Sequence, residues 1–152
     1  MISLLLKGLL SPFNSSIPNN SEGGYLGLFS NETAINGTQN QFVAVEFDTF
    51  QNSWDRSSPH VGIDINSVAS KVSATLPPSI RMNGSTRNVW VSYDSTSQKL
   101  SVFLTNATET DSSWSSLFSL SCIVDLTILP EWVSVGFFAT TGAVTEFDVT
   151  EA

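Results

Sequence analysis

The sequence has few positive charges, one cysteine and one histidine. Six Lys and Arg stand against fourteen Asp and Glu, so the formal net charge is −8. Because proteins that bind nucleic acid present basic surfaces to phosphates, this composition argues against a nucleic-acid partner. Cys122 cannot form an internal disulfide, and its apolar run SLSCIVDL predicts packing within a buried strand.

The sequence also lacks long apolar runs and helical periodicity. No run reaches the roughly 18 residues that a membrane-spanning helix needs, so we expect no membrane insertion within this chain. The first segment, MISLLLKGLL, is short and interrupted by Lys7, which favours an apolar strand over a signal peptide. With 152 residues, the chain has the length of one domain, which we expect to span residues 1–152.

Strand patterns dominate what is present. Only 13% of the residues are charged, whereas β-branched, hydroxyl and aromatic residues are abundant. Strands are predicted in FVAVEFDTF, HVGIDIN, NVWVSYD, KLSVFLT, SLSCIVDL and EWVSVGFFAT, with a shorter one in YLGLF. A turn at residues 95–97 predicts a hairpin, and Pro130 marks a tight TILP connection. The predicted fold class is all-β, an antiparallel sandwich.

Six N-glycosylation sequons recur along the chain. In each, an Asn is followed two residues later by Ser or Thr without an intervening Pro. They are Asn14, Asn19, Asn31, Asn36, Asn83 and Asn106. Because about half of them would arise by chance in so hydroxyl-rich a chain, they favour a secretory-pathway protein only mildly.

The stretch VEFDTFQNSWDRSSPH concentrates potential metal ligands. Glu46 and Asp48 project from one face of a strand at about 7 Å spacing. Asn52 and Asp55 follow in a loop, and His60 opens the next strand. If the loop folds back, three carboxylates come close enough to repel one another strongly, and a divalent cation would relieve that repulsion.

Two donor sets can be drawn from this stretch. Glu46, Asp48, Asp55 and His60 form a mixed oxygen and nitrogen set that suits manganese. Asp48, Asp55, the Asn52 carbonyl and a backbone carbonyl near residue 50 form an all-oxygen set that suits calcium. Spacing alone leaves open that the acids are solvated and that the histidine is structural. No EF-hand motif is present.

The motifs GGYLGLF, VAVEFDTFQNSWD, HVGIDINS and VDLTILPEWVSVGFFATTG resemble the legume (L-type) lectin family. The resemblance runs from about Pro12 to Glu146. The sequence around IVDL and LPEWVSVGF is most similar to the lectin ectodomains of plant lectin receptor kinases, although no kinase segment is present. It implies a concanavalin A-like jelly roll that binds one calcium and one manganese ion beside a carbohydrate site.

The resemblance also implies roles for individual residues. The expected metal ligands are Glu46, Asp48, Phe50 through its carbonyl, Asn52, Asp55 and His60, with Ser70 holding a metal-bound water. The expected sugar contacts are Gly24, Phe50, Asn52, Gly142 and Ala143. The implied partners are mannose/glucose- or galactose-type glycans and a second copy of the chain through the back sheet. The implied location is secreted, extracellular as a plasma-membrane ectodomain, or vacuolar.

Two departures define the alternatives. The family carries an upstream Asp-Gly pair that accepts hydrogen bonds from sugar hydroxyls, and that Asp would fall near Leu4. We therefore expect a domain incomplete at both ends, and a lectin-like storage, defence or interaction module without sugar binding is the alternative. Jelly-roll hydrolases place a third carboxylate where Gln51 stands, so we expect no enzyme activity.

Overall fold

The computed structural model describes residues 4–13, 16–25, 27–35, 37, 40–78, 86–106 and 118–141, with backbone alone at 4–9, 106 and 138–141. These residues form eight strands and two short 3-10 turns, which confirms the all-β prediction. The strands are β1 (Leu4–Pro12), β2 (Val43–Asp48), β3 (His60–Ile65), β4 (Val72–Thr75), β5 (Arg87–Asp94), β6 (Lys99–Asn106), β7 (Phe118–Ile123) and β8 (Val133–Thr141). None of the described residues belongs to a helix long and apolar enough to cross a membrane.

The strands form two antiparallel sheets. The larger sheet has the order β4-β3-β2-β1-β8, and the smaller has the order β5-β6-β7. The predicted hairpin is confirmed by the pairing of Asp94 with Lys99 and of Tyr93 with Leu100. In the turn of this hairpin, the Asp94 carboxylate accepts hydrogen bonds from the backbone N–H groups of Thr96 and Ser97.

The main core lies between the two sheets. From the larger sheet, β2 and β3 contribute Val43, Val45, Phe47, Val61 and Ile63; from the smaller, β6 contributes Leu100, Val102 and Leu104. Alternate residues of each strand reach this core because strand side chains have a period of two. Each fully buried apolar side chain of this size contributes about 1.5–3 kcal/mol to stability.

A second apolar cluster covers the opposite face of β2. It consists of Phe29, Ala34, Phe42, Ala44 and Val68. The rings of Phe29 and Phe42 meet edge to face with centroids 4.6 Å apart. As a result, every residue of β2 is buried, and the acids that alternate with its core residues are buried with it.

Two local predictions need correction. The YLGLF segment is not a strand, because Gly23–Tyr25 forms a 3-10 turn and Gly23 and Gly27 have φ values of 62° and 68°, which break an extended chain. Cys122, predicted to pack within a buried strand, is only half-buried at the margin of the main core. The predicted TILP connection does join successive strands, and it carries the chain from β7 in the smaller sheet to β8 in the larger one.

Candidate functional site

The strand register brings the predicted ligands onto one face. In the pairing of β2 with β3, Asp48 stands opposite His60 and Glu46 stands opposite Gly62. Directly opposed residues of antiparallel strands point to the same side of a sheet. The site therefore lies on the outer face of the larger sheet, away from the core shared with the smaller sheet.

Three of these side chains form a compact cluster. Ligand atoms of Glu46, Asp55 and His60 all lie within 4.8 Å of one another. His60 Nε2 is 3.0 Å from Glu46 Oε1, and both residues are buried, with 1% and 2% of their surface exposed. The loop after β2 thus folds back over the strand, which is the condition under which the spaced carboxylates come together.

Backbone hydrogen bonds shape the loop that carries Asp55. The Phe50 N–H donates to Asp48 Oδ1 and the Asn52 N–H donates to Asp55 Oδ2, each over 2.6 Å. The Asp55 N–H donates in return to the Asn52 carbonyl over 3.2 Å. These contacts hold the carboxylates of Asp48 and Asp55 at the two ends of one short turn.

The electrostatics of the cluster favour a positive charge. Burial, together with the nearby charges of Glu46 and Asp55, raises the pKa of Asp48 to about 6, against the opposing effects of the Phe50 N–H and His60. Burial opposes charge on His60, but its hydrogen bond to Glu46 and the charges of Glu46, Asp48 and Asp55 outweigh this and raise its pKa. Bound protons on Asp48 and His60 thus neutralise part of the negative charge of the cluster, as a bound cation would.

The chemistry of these donors fits a divalent cation. Cis ligands of an octahedral ion with bonds of about 2.1 Å are ~3 Å apart, which matches the separation of Glu46 and His60. His60 Nδ1 is buried and has no hydrogen-bond partner among the described residues, so hydrogen bonds there satisfy only one of the two ring nitrogens. Ser70 Oγ donates to the same Glu46 oxygen and fixes its orientation.

Gly62 is a site residue that sequence reasoning missed. A Cβ atom at this position would lie 2.6 Å from Glu46 Oε1 and closer still to Ser70 Oγ. The strand therefore needs glycine where the Glu46 carboxylate crosses β3. The available signal was an isolated glycine inside a strong strand pattern, which marks a close approach of other atoms.

Two of the predicted sugar-contact residues, Gly24 and Asn52, meet beside this loop. A Cβ atom on Gly24 would lie 2.7 Å from Asn52 Nδ2, so the backbone of the Gly23–Tyr25 turn touches the Asn52 amide. Tyr25 stacks on Trp54 with ring centroids 5.5 Å apart, and this pair joins the turn to the loop. Phe50 is 53% exposed. Gly142 and Ala143 lie outside the described residues.

The protein is thus a two-sheet sandwich with a buried carboxylate–histidine cluster that could hold a divalent cation beside a surface loop. A family model for the legume lectin domain matches residues 8–150, and the chain belongs to that family. This confirms the predicted family.

Individual relatives and structures agree. Lectin 7 of Medicago truncatula is 45% identical over 150 residues, covering 90% of this chain and 53% of the relative. A mannose/glucose-specific lectin of Centrolobium tomentosum is 44% identical over 138 residues, covering 88% and 53%. The solved lectin UEA-II complexed with galactose has a TM-score of 0.79 at 33% identity, covering 96% of this chain and 64% of that one. The jelly-roll prediction is thereby confirmed, and the chain spans about half the length of the curated relatives it matches.

Proposed function

We propose that this lectin domain binds mannose/glucose- or galactose-type carbohydrate at the loop that joins β2 to β3. The observation that carries the proposal is the contact between Gly24 and the Asn52 amide, directly beside the acidic cluster. Similar proteins supply the ligand class, since one is a mannose/glucose-specific lectin and another is a lectin complexed with galactose.

The acidic cluster is proposed to hold two ions. Glu46, Asp48, Asp55 and His60 would hold Mn²⁺, and Asp48, the Phe50 carbonyl, Asn52 and Asp55 would hold Ca²⁺. When bound, the ions neutralise the clustered carboxylates and stabilise the loop. Ser70, which already donates to Glu46, is proposed to hold an ion-bound water as well.

The chain's own groups would recognise the sugar directly. The Asn52 amide and the Gly24 N–H donate hydrogen bonds to hydroxyls, and the exposed Phe50 ring packs against an apolar sugar face. Because the backbone of Asn52 is tied to Asp55, little ordering entropy remains to be lost on binding. Gly142 and Ala143 are proposed to adjust which sugar fits.

We also propose the broader context of the domain. The chain is not an enzyme, because Gln51 replaces the third carboxylate of jelly-roll hydrolases. It acts outside the cell or in the vacuole. Residues 1–152 form one domain, since both sheets share the main core. Two copies associate through the smaller sheet, whose edge strand β5 exposes apolar side chains.

The test is calorimetric titration of the full chain with methyl α-mannoside and methyl β-galactoside, in Ca²⁺ and Mn²⁺ and again in a chelator. We expect binding of one sugar with both ions and none in the chelator. Asn52→Asp keeps an oxygen ligand but removes the amide donor, so ions should still bind while the sugar does not. Ser53→Ala, exposed in the same loop, is the matched control and should bind as wild type.

A chain that binds both ions but neither sugar would contradict the proposal and favour the lectin-like alternative. That alternative would originate at Leu4. Leu5 of β1 pairs with Asp48 at the end of β2, so the Leu4 backbone lies at the end of β1 that is next to the start of the metal loop. In that event Leu4→Asp should restore sugar binding, because a carboxylate there would accept from sugar hydroxyls.

A further inference from the structure

Four asparagines of the described residues form two contrasting pairs. Asn40 and Asn66 use their side chains inside the fold: Asn40 donates to the carbonyls of Thr33 and Asn66, and Asn66 Oδ1 accepts from the Phe42 N–H. Neither belongs to a sequon. Asn19 and Asn31, in contrast, are exposed sequon asparagines, and neither side-chain amide forms a hydrogen bond to a described residue.

The two exposed sequons share one patch of the outer loop. The Asn31 N–H donates to the Asn20 carbonyl over 3.2 Å, and the Gly27 N–H donates to the Ser21 carbonyl over 2.7 Å. The segments around residues 19–21 and 27–31 therefore run side by side. Buried Phe29 packs against Phe42 and Ala44 and anchors this patch to the sheet, while Asn19 and Asn31 stay exposed.

The sequon hydroxyls fit the same arrangement. Ser21 Oγ donates to the Pro18 carbonyl over 2.6 Å, and Thr33 Oγ1 lies 3.1 Å from Ser30 Oγ. Both hydroxyls thus stay within local turns and form no contact that a modified neighbouring asparagine would break. Ile17 is 72% exposed beside Gly27 in this patch, an apolar surface that a bulky hydrophilic group would shield.

We propose that Asn19 and Asn31 each carry an N-linked glycan, and that the two glycans cover this patch. The donor is a polyprenyl-diphosphate-linked oligosaccharide. The C1–O bond to the diphosphate breaks, a bond forms between C1 and Asn Nδ2, polyprenyl diphosphate leaves, and the amide nitrogen loses one proton. The proposal is independent of sugar binding by the loop at Asn52.

The test uses the full chain directed into the secretory pathway of plant cells. A Glu-specific protease cuts after Glu22 and Glu32, so the two sequons fall on different peptides. An amidase that hydrolyses the Asn–glycan bond then leaves Asp at each occupied site, and fragment mass spectra distinguish Asn19 from Asn14. We expect Asp at both Asn19 and Asn31.

Matched pairs separate modification from folding. Thr33→Ser and Ser21→Thr keep the sequons and should keep the glycans, whereas Thr33→Val and Asn19→Gln should each remove one. Circular dichroism monitors the fold, and enzymatic removal of the glycans from folded wild type provides a second comparison. Unmodified Asn at either position in the secreted wild-type chain overturns the assignment of that site.

Discussion

At the scale of the residue, the decisive feature is a set of titratable groups confined to a small buried volume. Glu46, Asp48 and His60 are all nearly inaccessible, and Asp55 closes the cluster from the loop. Burial of several acids is unfavourable unless a cation or protons compensate their charge. Burial raises the pKa of Asp48; burial opposes charge on His60, but its hydrogen bond to Glu46 and the surrounding carboxylates raise the His60 pKa.

The metal-free protein should lose stability as pH rises from about 4 to above 6. With its folded pKa near 6 against 3.8 when unfolded, Asp48 binds its proton more tightly in the folded state. Deprotonation of Asp48 between about pH 4 and pH 6 therefore lowers the free energy of unfolding by roughly 2–3 kcal/mol. His60, also raised, extends the decline above its unfolded value of 6.5. Denaturant unfolding in a chelator at several pH values measures this.

The Asp48→Asn variant should flatten that decline, since it cannot ionise. Asp94→Asn, exposed in the β5–β6 turn, is the control and should leave the fall due to Asp48 in place. Adding Ca²⁺ and Mn²⁺ should reverse the slope, because the ions compete with protons for the same groups. An unchanged slope in Asp48→Asn would show that Asp48 is not the titrating group.

A second residue-scale prediction concerns Gly24. In Gly24→Ala the new Cβ would lie 2.7 Å from Asn52 Nδ2 and 3.0 Å from the Trp54 ring, so the amide must move. We expect sugar affinity to fall at least about tenfold, or ~1.4 kcal/mol, while ion affinity is retained. Glu22→Ala, exposed on the same loop, should leave both affinities unchanged. Calorimetry gives both values, and equal losses of ion and sugar binding would contradict a local effect.

At the scale of the element, β2 shows how far sequence reasoning reaches. Its alternation predicted that Val43, Val45 and Phe47 face one way and Glu46 and Asp48 the other, and the structure agrees. What alternation could not predict is that both faces are buried, because the outer cover comes from Phe29 and other distant residues. The YLGLF prediction was wrong for a related reason, since its glycines adopt positive φ in a turn.

The edge strand β5 carries an element-scale prediction. Val89, Trp90 and Val91 are 36%, 52% and 52% exposed, and among the described strands β5 pairs only with β6. Exposed apolar edge strands favour pairing with another chain unless a charge blocks it. Val91→Lys should therefore lower the self-association proposed for the chain, as sedimentation velocity measures. Thr96→Lys adds the same charge in the nearby turn, and an equal effect of both would exclude the edge as the contact.

At the scale of the whole molecule, the two sheets depend on one another. The main core takes its side chains from both, so each sheet would expose its inner apolar face without the other. The metal cluster in turn joins β2, β3 and the loop between them. Stability of the fold and occupation of the site should consequently be coupled.

Heating should unfold the chain in one cooperative transition that the ions shift upward. Each ion that binds only the folded state at 100 times its dissociation constant adds about 2.7 kcal/mol, so two independently bound ions add about 5.4 kcal/mol. For a chain of this length, that corresponds to roughly 10–20 °C in Tm. Scanning calorimetry with Ca²⁺ and Mn²⁺, against NaCl of equal ionic strength, measures the shift. Two separated transitions would show that the sheets unfold independently.

The sequence by itself determined most of the strands, their hairpin and the spacing of the donors, because the period of two is a property of the extended backbone. It also predicted the family, since the metal-loop motif is local and specific. Only the tertiary structure decided that Asp55 returns to Glu46 and His60, that Gly24 meets Asn52, and that Gly62 makes room for a carboxylate. Those contacts join segments brought together by strand pairing and loop closure, which no local pattern specifies.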